Sequence, residues 1–181
     1  YLSTLLNTRT PIDGRLALEI ALNILQMPSL KNLDLQVKWP NDLYSTQGKW
    51  GGILVEPLSP HQVIVGVGIN IEPIPKENID QHATSLSELG LADISRTQLI
   101  AELYMAIQQA SNWFDHDCYN LAVRFNHYAA FKNQAVEFEH HSGLCSGIFI
   151  GIQDDGAVNI ETNEGLQQFY QGRLRRLETS L

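Results

Sequence analysis

Residues Leu33 to Ile71 read LDLQVKWPNDLYSTQGKWGGILVEPLSPHQVIVGVGINI. Three apolar runs lie in this stretch, LDLQVKW, GGILVEPL and QVIVGVGINI, separated by Pro40-Asn41-Asp42 and Ser59-Pro60-His61. Short runs rich in Val, Ile and Leu, bounded by residues that favour turns, are strands. The last run, Val63 to Ile71, is too continuously apolar for a strand with one wet face, and predicts a central strand covered on both sides. These strands form the sheet core.

On the N-terminal side, YLSTLL (1–6) alternates weakly and reads as a strand. Thr10 offers an N-cap oxygen and Pro11 suits a first helical position. Leu16, Ala17, Ile20, Ala21 and Ile24 recur at helical spacing, so a helix is predicted over 12–27. Met27-Pro28-Ser29 closes it, because proline disfavours helical geometry in the residue before it. On the C-terminal side, 72–82 is rich in Pro, Glu and Asn and reads as a loop, after which Ser85-x-x-Glu88 and Ser95-x-x-Gln98 both have capping-box form. The second box opens a long helix whose buried stripe is Leu99, Leu103, Ala106, Ile107, Ala110 and Phe114, and a further helix is predicted over Asn120–Ala130. From Lys132 the period falls to two. AVEFE, CSGIFIGI, AVNIE and LQQFYQG, separated by Gly143, Asp155-Gly156 and Glu164-Gly165, predict a small antiparallel barrel. The expectation is a mixed α/β core over 1–130 followed by a small β unit over 131–181.

The chain has 181 residues with 12 Lys+Arg against 20 Asp+Glu, a formal net charge of −8. At that length a folded chain buries roughly 70% of its unfolded surface, so a self-standing core is available. The acidic balance, without a Lys/Arg cluster, argues against non-specific nucleic-acid binding and against an anionic membrane surface. No apolar run reaches the roughly 20 residues that span a bilayer, and the opening lacks a signal-peptide pattern. Cys118 and Cys145 form no CxxC and read as reduced thiols of a cytoplasmic protein. The chain opens with Tyr1 inside a strand rather than with Met, as a fragment would.

The chemistry-bearing residues concentrate between Val37 and Asn70. Lys38 ends one apolar strand and Lys49 opens another. A lysine at the mouth of an apolar core needs a partner anion or a route to water. With no neighbouring acidic run to pair both, the two suggest an external anion, the alternative being that each ammonium snorkels to the surface. Gly51-Gly52 and Gly66-Val67-Gly68 sit inside strands, where glycine is tolerated chiefly when something approaches the backbone closely. Gly66-Val67-Gly68 lacks the third glycine and the following helix of a dinucleotide fingerprint, so that reading fails. Asn70 closes an apolar strand and suits either a ligand hydrogen bond or a terminating turn. Asp115-His116-Asp117-Cys118 lies at a helix end without a second ligand cluster and is a poor metal site, and His140-His141 reads as an exposed turn. No Gly-x-Ser-x-Gly or HExxH occurs.

KWPND (38–42), GKWGGILVE (48–56) and VIVGVGINI (63–71), in this order and with short loops between, resemble the biotin–protein ligases. YLS at the start resembles the strand after that family's biotin-binding loop, Thr84-Ser85-Leu86 resembles a following helix start, and residues from about 131 resemble its SH3-like C-terminal domain. The fold so implied is a class II synthetase-like ligase core with an SH3-like β-barrel. The reaction implied joins biotin and ATP, with Mg²⁺, into biotinyl-adenylate, from which a lysine of a biotin carboxyl carrier protein takes the acyl group. Cations and the metal have to offset the repulsion between two anions.

Position by position, the resemblance makes Lys49 the contact of the biotin carboxylate and the adenylate phosphate, and places Lys38 by the triphosphate. Asp42 would hold Mg²⁺ or order the phosphate end with Asn41 supporting it. Gly52, Leu54, Gly66 and Ile69 would line the biotin pocket, and Asn70 would face the nucleotide. Trp39 and Trp50 read as packing residues. The family's glycine- and arginine-rich loop has no counterpart in these 181 residues, which implies that this chain alone binds biotin poorly and loses adenylate. The DNA-reading domain of some members is likewise not matched. Arg173, Arg175 and Arg176 stand where members carry an arginine near the nucleotide, and read here as a solvated basic tail. Alternative readings are a biotin-sensing or dimerisation module, with a homodimer in view, and a lipoate-type acyl ligase.

Overall fold

A computed structural model describes residues 1–73, 82–91, 93–116 and 118–177. The first strand, β1 (Leu2–Asn7), is followed by helix α1 (Arg15–Leu25) and a short 3-10 turn at Pro28–Leu30. Next come β2 (Leu35–Lys38), β3 (Asp42–Ser45), β4 (Gly48–Ser59) and β5 (Gln62–Ile69). Two helices, α2 (Arg96–Asp115) and α3 (Leu121–Tyr128), lead to β6 (Ala135–His140), β7 (Gly143–Ile152), β8 (Val158–Thr162), β9 (Gly165–Phe169) and β10 (Arg173–Arg176). The loop expected over 72–82 falls mostly outside the described residues.

The first sheet has the order β1-β5-β4-β3-β2 and is antiparallel throughout. Its register sorts the side chains onto two faces. Val63, Val65 and Val67 are buried, and opposite them on the same face stand Leu6, Thr4 and Leu2 of β1 and Pro57, Val55 and Ile53 of β4. This face packs on α1, whose Leu16, Leu18, Ile20, Ala21, Leu22, Ile24 and Leu25 are all buried because α2 covers its far side. The other face carries Leu5, Leu54, Ile64, Gly66 and Gly68, with Leu54 56% exposed. The prediction that Val63–Ile71 is covered on both faces is therefore corrected. Its even-numbered positions are small or apolar although only one face meets the helices.

The start of α1 also differs from expectation. Thr10 does not cap it: the backbone N–H groups of Arg9 and Thr10 donate to Asp115 Oδ1 at the end of α2, at 2.7 and 3.0 Å, so this segment is tied across the molecule. The helix begins later, after Gly14. Ser95 does cap α2, accepting from the Gln98 N–H, and all six residues of the expected stripe are buried. Ser85 accepts from the Glu88 N–H and donates to Glu88 Oε2, but 86–90 is a turn and not the expected helix start. The reason is that the preceding chain runs extended, with Leu86 and Ser87 donating to the carbonyls of Asn70 and Ile71.

The second sheet has the order β10-β6-β7-β8-β9. The expected SH3-like barrel is not found: β9 and β10 are opposite edges of the ladder, with no pairing between them among the described residues. β10 takes the edge of β6 instead, Leu174 opposite Phe138. The sheet curls without closing, since Phe138 of β6 stacks on Phe169 of β9 at 4.7 Å between centroids. Arg173–Arg176 is thus a strand and not a tail, with Leu174 buried while Arg173, Arg175 and Arg176 stay exposed, as the solvated reading expected. A continuous cluster of buried side chains runs from Leu6 through both sheets to Leu174.

Candidate active site

Lys38 is the last residue of β2 and Asp42 the first of β3, paired directly across the Trp39–Asn41 turn. Asp42 is in turn opposite Gly52 of β4, so both side chains stand on the open face of the first sheet. Lys49 and Gly52 lie an odd number of residues apart and would point to opposite faces of a regular strand. A bulge between Leu43 and Tyr44 shifts the register, pairing Lys49 with Tyr44 and bringing its side chain onto the Gly52 face. A Cβ on Gly52 would lie 3.4 Å from both Cε and Nζ of Lys49 and 3.8 Å from Asp42 Oδ1. Glycine leaves room for the lysine stem to lie across the strand.

The backbone of Lys49 is fixed on both sides, its N–H donating to the His82 carbonyl at 2.8 Å and its carbonyl accepting from Thr84 N–H at 2.9 Å. That close approach also demands Gly48, at φ +130°, where a Cβ would strike the His82 carbonyl oxygen at 2.4 Å.

The three charged groups form one cluster. Lys38 Nζ donates to Asp42 Oδ2 at 3.0 Å, and Lys49 Nζ pairs with Asp42 Oδ1. The Lys38 side chain is 6% exposed and that of Lys49 35%. Burial holds the Lys38 ammonium below its ordinary pKa; Asp42 works against that, while the charges of Lys49 and Arg173 add to it. The ring of Tyr44 lies 5.8 Å from Lys38 Nζ and meets Phe131 edge-on at 5.2 Å. Burial and the Asp42 charge push its phenol up, and Arg176 works against them. The second sheet thus brings two cations of β10 within electrostatic reach of the cluster.

The absence of an acid to pair both lysines, inferred from the sequence, is corrected: Asp42 pairs both, one oxygen each. The two ammonium groups converge and are not turned away into solvent. In this arrangement both oxygens of Asp42 are engaged by ammonium groups, and no cluster of three His, Cys, Asp or Glu exists among the described residues. Asn41 and Asn70 act on the backbone: Asn41 Nδ2 donates to the Ile53 carbonyl at 2.7 Å and Asn70 Nδ2 to that of Thr84 at 3.0 Å.

Residues 9–70 match the Biotin/lipoate A/B protein ligase family. The bifunctional ligase/repressor BirA of Bacillus subtilis is 26% identical over 94% of this chain and 56% of its own length. The biotin–[acetyl-CoA-carboxylase] ligase of Mycobacterium tuberculosis is 40% identical over 40% of this chain and 26% of its own. The biotin protein ligase from Aquifex aeolicus, in complex with biotin and ATP, superposes with a TM-score of 0.82 at 27% identity, over 97% of this chain and 77% of that one. Over nearly its whole length the chain is similar to biotin protein ligases. It spans about half the length of the curated relatives it matches.

Lys38, Asp42, Lys49, Gly52, Leu54 and Gly66 share the open sheet face. Ile69 does not: it pairs with Gly51 on the opposite face and packs against the core. A Cβ on Gly66 would meet nothing nearer than 3.7 Å, so its neighbours in the fold do not require glycine there. Trp39 and Trp50 are buried, their indole N–H groups donating to the carbonyls of Gly156 and Tyr44. Sequence reasoning missed Tyr44, whose place beside Lys49 depends on the bulge. Asp115 is engaged by Arg9 and Thr10, and His116 Nδ1 by the Asn112 carbonyl, while Asp117 lies outside the described residues. No described helix is long and apolar enough to cross a membrane.

Proposed function

We propose that this chain carries the catalytic core of an enzyme that ligates biotin to a lysine of a biotin carboxyl carrier protein in the cytoplasm. The biotin carboxylate attacks the α-phosphorus of ATP, pyrophosphate leaves, and biotinyl-adenylate forms. The carrier's lysine amine then attacks the activated acyl carbon and AMP departs. Residues 1–130 form the catalytic core, and 131–181 a second unit whose Arg173 and Arg176 add positive charge in its neighbourhood.

One observation carries this reading: two lysines from different strands converge over a glycine on the open apolar face of the sheet. Bringing a carboxylate against a triphosphate requires fixed positive charge, and a preorganised ammonium is worth more there than a mobile one in water. Lys49, the more accessible, takes the biotin carboxylate and then the adenylate phosphate, and Lys38 faces the polyphosphate. Leu54 and the glycines 52 and 66 offer the ring system a flat apolar floor. Ile69 contributes backbone only. Asn41 and Asn70 hold the strand ends on which the nucleotide rests. Mg²⁺, which would offset the charge of the triphosphate, would meet an oxygen of Asp42 only once a lysine has released it. The Aquifex aeolicus ligase, whose complex holds biotin and ATP, supports both as substrates here.

The test is biotin-dependent exchange of pyrophosphate into ATP by the full-length gene product, with calorimetry against biotin and lipoate. Lys49→Ala is expected to lose roughly 10²-fold or more in exchange, the scale of removing one preorganised donor, with an unchanged circular dichroism spectrum. Tight lipoate binding without biotin binding would assign the fold to the other acyl group. Near-normal exchange by Lys49→Ala removes that residue from its role.

A further inference from the structure

In the Lys38–Asp42–Lys49 cluster one carboxylate engages both ammonium groups, so the place an external anion would take at Lys49 is already occupied from within. The two arms differ. Lys38 is almost wholly buried and directly opposite Asp42 in the β2–β3 ladder, so this arm is fixed by the pairing of the two strands. Lys49 is about one-third exposed, reaches Asp42 from another strand, and has a stem that crosses a glycine rather than packing against a side chain. Of the two arms this one is the more open to solvent, so it exchanges at the smaller cost.

We propose that Asp42 is an internal stand-in for the ligand's anion: its carboxylate holds Lys49 in place until a carboxylate or phosphate displaces it, and thereafter it is held by Lys38 alone. This rests on the reading of Lys49 as the anion contact. Asp42 is then a positioning residue that keeps the Lys49 ammonium over Gly52 before the substrate arrives, and it competes with every anion that enters. The competition sets a threshold. A ligand whose anion is seated by the rest of the pocket displaces Asp42 more readily than a free monoanion does.

The test uses inorganic pyrophosphate as probe, titrated calorimetrically into the wild-type chain and into Asp42→Asn. Removing the internal competitor is expected to tighten pyrophosphate binding about tenfold, which a merely structural role for Asp42 would not do. Because Asp42→Asn also removes an ion pair of the buried Lys38, Lys38→Met is compared with Lys38→Met/Asp42→Asn, a pair free of that charge. The double variant is again expected to bind pyrophosphate more tightly. Equal or weaker binding in both comparisons overturns the proposal. Biotin titrated into the same proteins separates the two readings: tighter pyrophosphate binding with no biotin binding anywhere keeps the displaceable carboxylate and removes the biotin assignment, whereas biotin binding with no gain in either comparison does the reverse.

Discussion

Gly52 sets the height of the Lys49 side chain above the sheet. A methyl there meets only the flexible end of that lysine at 3.4 Å, so Gly52→Ala is expected to change stability by less than about 1 kcal/mol. The same methyl moves the ammonium from its seat, so pyrophosphate exchange should fall at least tenfold while the urea midpoint holds. A large loss of stability would show the position to be structural. Cys118 is the opposite kind of residue, buried without a visible task. Burial, and then the charge of Glu19, push its thiol up to about 12. A thiol whose folded pKa lies above its unfolded value of about 8.5 stabilises the fold fully below pH 8.5, and that contribution drains away as the pH rises toward 12. Between pH 8 and 10 the wild type should therefore lose more stability than Cys118→Ala, as read from urea midpoints. Equal losses would place the thiol in contact with water.

At the scale of elements, the three helices are joined by one ion pair that periodicity could not announce. Glu19 of α1 is fully buried among apolar neighbours, and both its oxygens accept from Arg124 of α3, one at 2.9 Å. The guanidinium also lies 4.5 Å from the Trp113 ring of α2. Arg124→Met leaves an uncompensated buried carboxylate and should cost about 3–5 kcal/mol in urea unfolding, whereas Glu19→Met/Arg124→Met should recover most of it. Failure of the double variant to recover would mean that the aromatic stacking of Arg124, not the pair, holds the helices. The bulge between β3 and β4 is the other element-level device. It could not be read from GKWGGILVE, because alternation assigns faces only in a regular ladder, and one shifted residue reverses every assignment beyond it.

For the whole molecule, one buried cluster joins the two sheets, with Trp39 of the first part tilted against Phe138 of the second at 5.7 Å and bonded to the Gly156 carbonyl. Leu174→Ala, in the last strand, should cost about 2–5 kcal/mol and lower the tryptophan-fluorescence and far-UV unfolding midpoints together. Separated midpoints would mean that the β unit melts by itself. Three of the four strands between Leu33 and Ile71, the stripe of α2 and its Ser95 cap were legible in the chain, because they rest on local periodicity and turn chemistry, whereas β3 is too short and too polar at its start to stand out. So were the candidate lysines and glycines, since a charge or a missing side chain inside an apolar run stands out against its neighbours. Tertiary structure alone decided that Asp42 takes both lysines, that Lys49 and Gly52 share a face, that one side of β5 stays open, that the second sheet curls without closing, and that β10 pairs with the edge of β6. Each of these depends on which strands pair and in what register, a balance of contacts between residues far apart in sequence that no local pattern encodes.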